Sequence, residues 1–232
     1  MVGVKPGGAE QARSRRRGLI RLLAAWILLP IFFWATGGSL LWPQAWIYCA
    51  VLLVPMTIFT VWMVKHDPSF FDRRFKKKEK EQAQARLQSL AVPLFLSVFI
   101  LPGLDCRFGW SDPPLAFVVV ALLLTLVSYL MILRVFLENR WAGRTVETWG
   151  DQKVIDTGPY AVVRHPMYTA VMLLLLVTPV ALDSWWGVIG ALVHYPIFYF
   201  RIRNEEDVLL RELAGYEEYR ARVRYRLTHF VW

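Results

Sequence analysis

Between Thr157 and Tyr168 the chain reads T-G-P-Y-A-V-V-R-H-P-M-Y, which sets a cation (Arg164), an imidazole (His165) and two phenols (Tyr160, Tyr168) among the turn signals Gly158-Pro159 and Pro166. About forty residues later R-I-R-N-E-E-D, from Arg201 to Asp207, adds two cations and three acids. Imidazole and carboxylate exchange or hold protons near neutral pH, carboxylates accept hydrogen bonds from hydroxyl and ammonium groups, and guanidinium grips carboxylate or phosphate. Taken singly, each residue has a plain structural role. His165 would cap a helix start, Arg164 would snorkel, and Pro166 would be a first-turn proline. Glu205 and Glu206 would be first-turn acids facing a helix dipole. Those roles do not account for turns, phenols, cations and acids gathering at one membrane edge.

The elements that must position these groups are apolar. Of 232 residues 56% are hydrophobic and 11 are tryptophan, and they are collected into runs instead of short periodic pieces. The runs are Leu19 to Ala35, Ala45 to Val64, the shorter Leu90 to Leu101 with Pro93 and Pro102 near its ends, Leu115 to Leu137, Met167 to Leu182 and Trp186 to Phe200. Most approach the ~20 residues that a helix needs to cross a bilayer. The last two are separated by Asp183-Ser184-Trp185 alone, so they form an antiparallel hairpin. The expected fold is an all-α integral membrane protein with five to six membrane segments. Asn204 reads as the N-cap of a separate amphipathic helix, Gly215 as its end, and Tyr216 to Val223 as a further short helix.

Three regions follow: a basic tail over 1–18, disordered before it lies on anionic headgroups; membrane helices over 19–137; and 138–232, which holds both polar clusters. The net charge of +9 would suggest nucleic acid in a soluble protein, but its distribution points to a bilayer instead. With six spans, Arg107 alone among the 27 Lys and Arg residues falls opposite the termini, which places both termini and both clusters on the cytoplasmic side. The membrane would be the inner or plasma membrane in a bacterium and the endoplasmic reticulum in a eukaryote. The basic segment 73–80 reads as a solvated cytoplasmic loop. Two cysteines at different depths, Cys49 and Cys106, predict no disulfide. No dinucleotide fingerprint, P-loop, CxxC or HExxH is present, and the four histidines have no metal-ligand spacing.

The stretch G-P-Y-A-V-V-R-H-P-M-Y, a hairpin, R-I-R-N-E-E and G-Y-E-E-Y-R-A-R-V together resemble the isoprenylcysteine carboxyl methyltransferase family and its phospholipid methyltransferase relatives, over Glu138 to Val223. The resemblance implies S-adenosyl-L-methionine as cofactor, in a cytoplasm-facing pocket walled by the loop before RHPxY and closed by a C-terminal helix. Carried onto this chain, cofactor contacts fall on Gln152, Lys153, Val154, Ile155, Tyr160, His165, Pro166, Met167, Tyr168, Glu205 and Glu206. Arg201, favoured over Arg203, would handle the substrate, so that Arg201, His165, Glu206 and Tyr168 form the implied catalytic set. Ala170 departs from the glycine that many relatives carry there.

The implied acceptor is lipid-like: the carboxylate of a prenylated cysteine or a similar small isoprenyl or thiol acid, with a phospholipid amine as the alternative. A carboxylate needs no strong base, which suits a chain lacking an evident Cys-His or Ser-His pair. Two competing readings are an NADPH-dependent membrane reductase of the sterol-reductase kind, disfavoured by the acids where a phosphate would need cations, and a non-catalytic scaffold.

Overall fold

The computed structural model describes residues 8–67, 70, 71, 82–139, 141, 153–228 and 232. Gln152 and the basic segment 73–80 lie outside them. Among the described residues the chain forms seven α-helices, one turn of 3-10 helix over Gly158–Ala161 and no strand. The helices are α1 (Gly8–Gly37), α2 (Pro43–His66), α3 (Gln82–Phe108), α4 (Leu115–Glu138), α5 (Pro166–Ala181), α6 (Trp186–Glu212) and α7 (Tyr216–Arg222). Gln11–Gly37 within α1, α2 and α4 are each long and apolar enough to cross a bilayer, whereas α5 is apolar but spans only 16 residues.

Side-chain distribution fits lipid as the surrounding solvent. On α4 the small or hydroxylated Ala121, Thr125 and Ser128 face inward, while Val119, Leu123, Val127 and Leu130 are exposed. Water would favour the reverse; in a bilayer, small residues allow close helix contact, and the Ser128 hydroxyl returns to the backbone, donating to the Leu124 carbonyl at 2.7 Å. The chain is an all-α integral membrane protein. Its main core joins Phe33 of α1, Trp42, Tyr48 and Leu53 near or on α2, Ala121 of α4, and Ala181 and Leu182 at the end of α5. Within it Tyr48 Oη and Thr178 Oγ1, 2.7 Å apart, tie α2 to α5.

The hairpin forms as its short turn requires. Tyr168 of α5 meets Arg201 of α6 at 2.9 Å, and Tyr195 Oη reaches the Met172 carbonyl at 3.4 Å, an antiparallel register. Ser184 in the turn donates to the buried Asp105 of α3 at 2.5 Å, and Gln44 donates to Asp183 at 2.9 Å, so this end is pinned to both flanking helices.

Three elements differ from expectation. The first helix starts at Gly8 instead of Leu19: no helix breaker intervenes, and Gly18 lies so close to Phe71 that an added Cβ would come within 2.8 Å of its ring. Helix α3 runs through Pro93 and Pro102 to Phe108, because a proline inside a packed membrane helix is tolerated where neighbours cover the freed backbone. Most consequential, α6 is one helix of 27 residues, not a span followed by a new helix at Asn204. Arg201, Ile202 and Arg203 continue it without a breaker, and Ile202 is fully buried. At ~1.5 Å per residue α6 is about 40 Å long against about 24 Å for α5, so its polar end overshoots the hairpin and carries the acids beyond it.

Candidate active site

Pro166 opens α5 and forces the residues before it out of helical conformation, which leaves their N–H groups in need of outside partners. The segment after α7 supplies them: the Arg164 and His165 amides donate to the Tyr225 and Arg226 carbonyls, both at 2.9 Å. Thr169 Oγ1 adds a bond to the Leu227 carbonyl at 2.6 Å. The 223–228 segment is thus laid along the RHP turn.

Side chains lock the same junction. Arg164, 6% exposed, donates through Nε to Glu206 Oε1 at 2.7 Å and through Nη1 to the carbonyls of Val223 and Arg224 at 2.8 and 2.6 Å. Arg226 Nε donates to Glu206 Oε2 at 2.8 Å. His165 Nε2 lies 3.2 Å from Glu206 Oε1; a carboxylate only accepts, so that bond needs the imidazole proton on Nε2. Glu206 is 3% exposed. Burial by itself raises its pKa, but hydrogen bonds from His165 and Arg164, the nearby positive charge and the bond from Arg226 outweigh this and hold it well below the usual carboxylate range. The carboxylate is therefore an ionised hub joining α6, the RHP turn and the C-terminal segment.

Glu205 faces a different set. Tyr168 Oη donates to Glu205 Oε2 at 2.6 Å and accepts from Arg201 Nε at 2.9 Å, giving a relay of guanidinium, phenol and carboxylate at the hairpin's polar end. Arg203 is exposed and instead donates to Tyr199 Oη at 3.1 Å, so of the two arginines it is Arg201 that joins the site.

The loop wall also takes form. Val154 packs with Tyr216, Tyr219 and Val223, Ile155 is half-buried and Lys153 is exposed. Tyr160 accepts at its carbonyl from Tyr219 Oη at 2.8 Å and at its hydroxyl from Asn139 Nδ2 at 3.0 Å, which fixes the 3-10 turn between α4 and α7. Gly158 sits at φ +56°, where a side chain is strained, and a Cβ there would lie 2.7 Å from Glu138 Oε2 and displace that carboxylate. Pro166 is buried, Met167 half-buried, and Ala170 fully buried in α5.

The structure brings His165, Tyr168, Arg201, Glu205 and Glu206 to one place, with Val154 and Tyr160 on its loop side. Four participants were not singled out from sequence as site residues: Arg164 as an interior ligand of Glu206, Arg226, Thr169 and Tyr219. Arginines at 220, 222, 224 and 226 look alike in sequence, and nothing in that alternation marks the one that turns inward. Among the described residues, two polar atoms here are buried without a hydrogen-bond partner, Asn204 Nδ2 and Tyr216 Oη.

Fold and site together define an integral membrane protein with a cation- and acid-lined polar centre at the end of an apolar hairpin. Residues 116–215 match the phospholipid methyltransferase family, so this stretch is similar to that of membrane methyltransferases that act on lipid-like substrates. The matched stretch contains α5, α6, the RHPxY motif and both acids. No curated protein matches the chain.

Proposed function

We propose that this protein transfers a methyl group from S-adenosyl-L-methionine to the carboxylate of a prenylated cysteine or a similar isoprenyl acid, at the cytoplasmic edge of the membrane. The observation that carries the reading is the Arg201–Tyr168–Glu205 relay beside the clasped Glu206, at the polar end of the hairpin.

The residues fit such a cofactor. Two unpartnered buried donors, Asn204 Nδ2 and Tyr216 Oη, flank the acid pair in sequence, and a cofactor rich in hydroxyl, amino and carboxylate groups is the sort of ligand that satisfies such atoms. Val154, Ile155 and Tyr160 would wall it on one side, with His165 to Tyr168 on the other. Gln152 and Lys153 remain part of the proposed set. When bound, the cofactor supplies an electrophilic methyl on a sulfonium.

What the chain contributes is alignment and exclusion of water, the main needs of an in-line displacement with an already nucleophilic acceptor. Arg201, oriented by Tyr168, holds the acceptor's anionic group. Glu205 fixes the phenol. Glu206 and His165 act by holding the RHP turn, α6 and the C-terminal segment together, so their part is positioning. A lateral opening near the hairpin would admit the acceptor from the bilayer while cofactor enters from water. Six spans with both termini cytoplasmic complete this reading.

A phospholipid amine is the second reading, favoured by the family matched over 116–215. It would ask Glu205 to take the amine's proton through Tyr168. Purified protein in detergent, given cofactor with a radiolabelled methyl and either a prenylcysteine analogue or phosphatidylethanolamine vesicles, separates the two. An alkali-labile ester on the prenylcysteine is the expected product; an alkali-stable N-methyl lipid would move the assignment to the amine. Label in neither acceptor would contradict both.

A further inference from the structure

We infer that the hydroxyl of Tyr216, a residue outside the RHPxY and acid motifs, is a direct hydrogen-bond contact to the bound S-adenosyl cofactor. The inference rests on the function proposed above. Tyr216 follows Gly215, whose φ of +82° turns the chain from α6 into α7 and swings the phenol back against the site. The ring is only 4% exposed and packs with Val154, part of the proposed cofactor wall, with Leu209 and Leu210 of α6, and with Leu213 just beyond it. This apolar setting explains the ring but not the hydroxyl, which is buried with no partner among the described residues.

A phenylalanine would fill the same space without that cost. A buried hydroxyl left unsatisfied is destabilising, so its presence calls for a partner supplied from outside the chain. Tyr219, one turn on, shows the contrast: its hydroxyl is spent on the Tyr160 carbonyl. The site's charges are close enough to act on Tyr216. Burial first, then Glu206 and Glu205, push its pKa up, so the phenol stays protonated and offers a donor to an acceptor atom of the ligand.

The test is Tyr216→Phe, which removes one oxygen and keeps the ring. S-adenosylhomocysteine, the demethylated product, serves as probe, with affinity measured by equilibrium dialysis and thermal unfolding followed with and without it. Without ligand, the variant should melt at or above the wild-type temperature, because an unsatisfied buried hydroxyl is gone. Its Kd for the probe should rise about fivefold to tenfold, the range for losing one hydrogen bond, and the probe should raise its Tm less than it raises that of wild type. Unchanged affinity in the variant, while wild type binds, would overturn this inference and leave the proposed function standing. A lower ligand-free Tm would also overturn it, since the hydroxyl would then have its partner within the protein. Failure of wild type to bind the probe would remove both.

Discussion

At the scale of single residues, the acid pair divides its labour. Glu205 and Glu206 are neighbours in sequence, yet one carboxylate is turned to a phenol and the other is enclosed by two arginines and a histidine. Removing one partner from a buried ion cluster costs about 3–5 kcal/mol, since the remaining charges stay buried. Glu206→Gln should therefore lower the Tm in detergent substantially at pH 7, whereas Glu205→Gln should leave the Tm nearly unchanged and act on turnover. The pH dependence has a definite sign. The folded-state pKa of Glu206 is lowered, so its contribution is complete above the unfolded-state value of about 4.3 and is lost as pH falls below that. The Tm gap between wild type and Glu206→Gln should hold from pH 8 to 6 and narrow below pH ~4; a gap that widened on acidification would contradict the clasp. Arg164 and Arg226 share this carboxylate, so Arg164→Ala and Arg226→Ala should be non-additive in a double-mutant cycle on Tm.

At the scale of elements, α6 decides where the acids go. Legible in the sequence were the apolar runs, the two-helix hairpin with its short turn, and the convergence of RHPxY with the acids, because run length and turn residues are local signals. The uninterrupted course of α6 was not. Asn204 followed by three acids carries every mark of a helix start, and only the burial of Ile202 and the contacts made on the far side favour continuation. The consequence is chemical: in mid-helix, Glu206 has no helix dipole to hold it and depends on the cations brought by the RHP turn and the C-terminal segment. That segment was illegible for another reason, since it meets the RHP turn mostly through its own backbone carbonyls, which need no particular side chain on the segment. The 3-10 turn gives a test at this scale. Gly158→Ala would place a Cβ against Glu138 at a positive φ, and should cost about 1–3 kcal/mol and raise cofactor KM more than it lowers kcat. Unfolding and kinetics both at wild-type values would show that the turn does not set the loop wall.

At the scale of the whole molecule, one end of the bundle is pinned by hydroxyls on a buried carboxyl group and the other by an ionic clasp. Asp105, Ser111 and Ser184 close the first, where the exposed Cys106 also lies, and Arg164, Glu206 and Arg226 close the second. If the clasp faces the cytoplasm, Cys106 faces the opposite side, and the native thiol is a reporter of topology. In sealed cells a membrane-impermeant maleimide should label Cys106 from outside, while Arg224→Cys, at an exposed position, should be labelled only after permeabilisation. Labelling of both from the same side would refute the proposed orientation.

The most direct test of the central claim is calorimetric titration of the detergent-purified protein with S-adenosylmethionine and S-adenosylhomocysteine, with NADPH as comparison and Glu205→Gln and His165→Ala as variants. Saturable binding of both S-adenosyl compounds, weakened in each variant and absent for NADPH, is the predicted result. Folded protein that binds neither compound, or binds NADPH instead, would contradict it.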